Sequence, residues 1–99
     1  MKEQLQDRLA AMERAITIYV DAFNRCASLR DEWYNLQSVE IAAGATIEES
    51  WWAVFQSARG SELHALDKQA QFDKTRAGFQ YDSALMAAKA LIALKEDAL

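Results

Sequence analysis

Ile41-Ala42-Ala43-Gly44-Ala45-Thr46-Ile47-Glu48-Glu49 is the stretch that decides how this chain folds. Gly44 lacks a Cβ and so can enter the left-handed conformation that closes a helix. Two residues later, Thr46 has the chemistry of a helix N-cap. Its hydroxyl can accept from the backbone N–H of Glu49, and the Glu49 carboxylate can accept from the amide of Thr46. Glu48 and Glu49 also place negative charge at the positive end of the helix dipole. One helix therefore ends, and another begins, within a few residues.

Upstream of the turn, Leu5, Leu9, Met12, Ile16, Tyr19, Phe23 and Cys26 recur at spacings of four and three, which predicts an amphipathic helix over about 3–43. Continuing this register would bring Arg30, Gln37 and Glu40 onto the seam. The row Ala22, Cys26, Leu29, Trp33 and Leu36 takes over instead, so the stripe drifts around the helix. Downstream, Ile47, Trp51, Val54, Phe55 and Ala58 share a face and predict a second helix over 47–59. Arg59-Gly60-Ser61 then suggests a break near Gly60, with Ser61 capping a third helix over 62–97. That last segment carries Leu63, Leu66, Ala70, Phe72, Ala77, Phe79, Leu85, Ala88, Leu91, Ile92 and Leu94 at helical spacing. Gly78 sits among them, either to admit a close neighbour or to mark a bend.

The expected class is all-α: a single helical domain over 1–99, arranged as a long helical hairpin or as three helices. With no proline and three glycines, the composition favours helix nearly throughout. Of the 52% hydrophobic residues, 19 are alanine, which adds little apolar area to a core. A chain of 99 residues buries only roughly 60 to 70% of its unfolded surface. A first helix of this length would run on the order of 60 Å, too far for one short neighbour to cover. Dimerisation into a helical bundle is the expected remedy.

Charge narrows the function classes. The net charge of -4 suits a cytoplasmic protein and disfavours a nucleic-acid backbone binder, which needs a basic stripe free of acids. The acidic residues are also too sparse for DNA mimicry. No membrane span is expected, because Lys89 interrupts the best apolar run, Ala84 to Leu94. Residues 1–14 lack the apolar core of a signal peptide.

The search for chemistry predicts no enzyme. Cys26 is the single cysteine and lies on an apolar stripe, which disfavours a reactive thiolate. His64, the single histidine, has Glu62 and Asp67 nearby, but not the Glu-x-x-His spacing of a carboxylate-bridged metal site. Phosphate loops, nucleophile elbows and zinc-protease signatures are absent from the sequence. No catalytic residue, metal or cofactor is expected. The length and central turn are similar to those of secreted helical hairpins with a Trp-x-Gly turn. The turn here is Ala43-Gly44-Ala45, however, and the tryptophans follow as Trp51-Trp52-Ala53, so that motif is missing and no family is assigned.

The remaining signal is aromatic. Trp51 and Trp52 are neighbours that diverge by about 100° on a helix, so both rings cannot easily face one groove. Trp and Tyr are enriched at binding hot spots. Trp51, Trp52 and Phe55 are thus candidate anchors for a protein partner, with Trp33 and Tyr34 on a second patch. The expected function is a cytoplasmic protein-protein interaction module, an adaptor or inhibitor masking a surface of a larger protein. Phage- and mobile-element-encoded modulators offer an analogy of class alone. The alternatives are a self-assembling structural subunit and, less favoured, a nucleic-acid-related regulator.

Overall fold

The computed structural model describes residues 2–97 and contains three α-helices, α1 (Lys2–Ala42), α2 (Ile47–Gln56) and α3 (Ala58–Asp97), with no strand among the described residues. The chain is all-α. No helix among the described residues is long and apolar enough to cross a membrane.

The turn after α1 closes as its sequence dictates. Gly44 takes φ +107°, which a side chain would make costly. The Gly44 N–H donates to the Ile41 carbonyl at 2.9 Å and the Ala45 N–H donates to the Glu40 carbonyl at 3.1 Å. This paired 5→2 and 6→1 arrangement satisfies carbonyls that the end of a helix leaves open. The predicted capping box opens α2: Glu49 N–H donates to Thr46 Oγ1 at 3.1 Å, and Thr46 N–H donates to Glu49 Oε1 at 3.3 Å.

The second break lies at Ser57, three residues before the glycine expected to make it. Ser57 is extended (φ -74°, ψ 156°). Its hydroxyl donates to the Val54 carbonyl at 2.6 Å and accepts from the Gly60 N–H at 3.0 Å, so it closes α2 and caps α3 together. Ser61 does not cap; its hydroxyl reaches back to the Phe55 carbonyl at 3.2 Å. Gly60 lies in the first turn of α3 because backbone approaches it there, not because it ends a helix. Gly78 sits within the continuous α3, and a Cβ on it would meet nothing within 4 Å.

The described residues form two compact units. One combines residues 2–21 with 73–97 and the other spans residues 22–72. In the first, the α1 and α3 segments run antiparallel: Leu5 shares a groove with Leu91 and Ile92, and Ile16 and Tyr19 share another with Ala77 and Tyr81. Its buried apolar residues are Ala15, Ala77, Ala84 and Ala88. In the second unit, segments of α1 and α3 pack with α2 around Ala22, Cys26, Val54, Leu63 and Ala70.

Leu63, Ala70, Ala77 and Ala84 follow a seven-residue interval, which keeps them on one side of α3. Among the described residues, six of the nine buried apolar ones are alanine. Small residues permit close helix approach but bury little area each. Of the large residues expected on the seams, Leu63 is buried, but Leu9, Ile16, Tyr19 and Phe23 on α1 are exposed, as are Leu66, Phe72, Phe79, Ile92 and Leu94 on α3.

Candidate functional site: an aromatic groove

The unit formed by residues 22–72 gathers four of the five candidate aromatic residues into one ring cluster. Trp51 and Phe55, four apart on α2, face the same way and stack at 5.0 Å with their planes 10° apart. Trp52 diverges from that row and meets both rings edge-on, at 4.9 Å from Trp51 and 5.8 Å from Phe55. From α1, Trp33 reaches Trp51 at 5.8 Å, tilted by 53°. Trp33 is therefore part of the same patch as Trp51, where the sequence suggested a second one. Offset and edge-on pairs of this kind add about 0.5–1.5 kcal/mol each beyond area burial.

The cluster is not sealed. Trp33 is half-buried, while Trp51, Trp52 and Tyr34 are exposed, Trp52 to 50%. Ile47, at the start of α2, is also largely exposed. One face of the cluster opens into a groove of about 340 Å³. Trp33, Tyr34 and Trp51 supply its aromatic wall, Leu29 and Leu63 its aliphatic part, and Arg30, Gln37, His64, Asp67 and Gln71 its polar groups. Trp52 does not line the groove, so the two adjacent indoles serve different surfaces.

Gln37 is the buried polar member, only 8% exposed. Ser50, fully buried, donates its hydroxyl hydrogen to the Ile47 carbonyl at 2.6 Å and so is left to accept. The Gln37 Nε2 amide donates to it at 3.2 Å. This chain of bonds fixes the amide orientation and leaves the Gln37 carbonyl oxygen as the end facing away from Ser50.

Arg59 links α3 to α1. It donates through Nε and Nη2 to Glu32, the latter bond at 2.7 Å, and it pairs with Glu62 at 2.8 Å. The hydrogen bond from Arg59, aided by its charge and opposed by partial desolvation, holds the Glu32 carboxyl below its ordinary value. The same bonds, to Glu32 first and Glu62 second, raise Arg59. Both side chains are about two-fifths exposed, so the pair orients the helices more than it stabilises them.

His64 is exposed and meets Phe55 edge-on at 5.3 Å. No group of three or more potential metal ligands occurs among the described residues. Cys26 is buried. Sequence reasoning missed Gln37, Ser50 and Asp67 as parts of one site. The only signal was the register that carries Leu9, Ile16 and Phe23 on to Gln37. Compared with known proteins, the chain matches no family model, no curated protein and no solved structure.

Proposed function

We propose that the chain is a small helical protein-interaction module, an adaptor or inhibitor acting in the cytoplasm, that binds and masks a surface of a larger protein. The observation that carries this reading is the partly exposed aromatic cluster of Trp33, Trp51, Trp52 and Phe55, bordered by Tyr34 and Ile47. Rigid aromatic groups lose little entropy on binding and dominate hot spots, and contiguous exposed patches of them mark interaction surfaces. An alanine-rich core leaves these large groups available.

The test is capture of a partner from native lysate by the intact chain and by Trp52→Ala, with helix content followed by circular dichroism. A protein held by the wild type and lost by the variant at unchanged helicity supports the reading. Equal capture by both, or parallel loss of helix and binding, removes Trp52 from the binding surface and counts against it.

A second reading, self-association, is favoured by a separate feature. Phe72, Phe79 and Met86 recur at seven-residue intervals on α3, two residues out of phase with the buried Ala70, Ala77 and Ala84, and hence on the opposite side of the helix. Phe79 is 69% and Met86 71% exposed. A second copy of the chain is one means of covering that row.

A further inference from the structure

We infer that the aromatic groove is a receptor for an arginine side chain presented by the partner protein. This inference rests on the interaction reading above and specifies what the partner brings. It starts from the floor of the groove. The Gln37 carbonyl oxygen accepts no hydrogen bond among the described residues. No fully buried side-chain nitrogen or oxygen among them lacks a partner, so this oxygen must open to solvent, and the groove is the opening that Gln37 lines. A residue that is more than nine-tenths buried thus carries an unused acceptor beside the groove it lines. A donor on an occupant can replace the water that this oxygen meets there.

Asp67, half-buried on α3, lines the same groove and forms no ion pair among the described residues. It too can only accept when ionised. Trp33 and Trp51, tilted 53° to one another, and Tyr34 line the groove together with these acceptors. An occupant matched to these two acceptors donates hydrogen bonds, offers positive charge to Asp67 and lies against an aromatic wall. A guanidinium does all three: it is planar, offers five donors in a fixed fork and stacks on indole faces. An ammonium has the charge but not the plane. The net charge of -4 also favours approach of a cation over an anion.

Arg30 is the one opposing group. It is exposed, lines the groove and makes no ion pair among the described residues. A guanidinium in the groove is repelled by its like charge, which gives two substitutions of opposite sign: Asp67→Asn weakens binding of an arginine probe, and Arg30→Gln strengthens it.

The experiment titrates the intact ¹⁵N-labelled chain with N-acetyl-arginine methylamide, its citrulline analogue and its lysine analogue, following the Gln37 side-chain amide and the indole N–H signals of Trp33 and Trp51. The arginine probe is expected to shift these signals saturably in the millimolar range. The neutral citrulline probe should bind roughly fivefold or more weakly. Equal binding of arginine and citrulline overturns the charge argument, and equal binding of arginine and lysine overturns the guanidinium assignment. Saturable shifts that bypass Gln37 overturn the site. The three-probe comparison needs no variant, so it stands even if Asp67→Asn disturbs the fold. Trp52-dependent protein capture with no arginine preference overturns the occupant alone, whereas arginine preference without such capture overturns the interaction reading and leaves the site in place.

Discussion

Gly60 lies so close to Val54 that a methyl group on it would fall 1.6 Å from the Val54 carbonyl oxygen and 2.5 Å from its carbonyl carbon. Both atoms are backbone and cannot rotate aside. The Ser57 hydroxyl bonds to the same carbonyl and to the Gly60 amide, so the contact is built into the α2–α3 join. Gly60→Ala should therefore destabilise the chain by about 2–4 kcal/mol, well beyond ordinary surface substitutions. Gly78→Ala is the opposite case. Its Cβ meets nothing within 4 Å in a continuous helix, so it should stabilise by about 0.5–1 kcal/mol through helix propensity. Urea denaturation of the two variants beside the wild type checks both signs; a neutral Gly60→Ala would mean that the join relaxes freely.

The Ser50 hydroxyl is the acceptor that satisfies the buried Gln37 amide. Ser50→Ala removes it and strands a donor with little access to water, at a cost of about 1–3 kcal/mol. Converting the pair to Ser50→Ala with Gln37→Leu should recover part of that loss, since no donor is then left unpaired. A double-mutant cycle measures the coupling. Simple additivity of the two changes would show that the pair contributes nothing as a unit.

What could be read from the sequence was what is local. Gly44, Thr46 and Glu49 act within a few residues of one another, so their turn and capping box were legible. The same local logic misplaced the next break, because Gly60-Ser61 is stronger punctuation than Ser57, and only the approach of Val54 shows why glycine is needed inside the helix. The core was misread for a different reason. Large residues weigh most in a periodicity reading, yet Leu9, Ile16 and Phe23 lie outside while Ala15 lies within; Ala22 and Cys26, both on the expected rows, are buried. The five aromatic candidates were visible by residue type alone. That Trp33 joins Trp51, or that Gln37 meets Ser50, depends on how the turn brings α1 against α2, which no spacing within one helix encodes.

The Glu32–Arg59 pair predicts an acid response. Because Arg59 lowers the folded-state value of Glu32, the pair's contribution is fully present above the ordinary carboxylate value of 4.5 and is lost as pH falls through the lowered one. Denaturation midpoints of the wild type should therefore drop more steeply below pH 4.5 than those of Glu32→Gln, with parallel curves at higher pH. Added salt should shrink the difference, since the pair is exposed. Parallel curves throughout the acid range would show that Glu32 titrates alike in the folded and unfolded chain.

The outward row on α3 separates self-association from partner binding. Phe79 is largely exposed, so replacing it removes little packing within the chain. Lysine also has the better helix propensity, and Phe79→Lys should change the stability of a monomer by no more than a few tenths of a kcal/mol. If two copies cover this row, the same substitution places a charge in the covered face and weakens association by about 2 kcal/mol or more. Light scattering across a dilution series should then show the wild type moving from 11.2 kDa towards twice that mass as concentration rises, with Phe79→Lys remaining at the lower value. Trp52→Ala should leave this self-association intact while removing capture of a different protein, because the two features occupy different helices. A wild type that stays at the monomer mass at all concentrations would eliminate the α3 row as a contact between copies and leave the aromatic cluster to be judged by its own test.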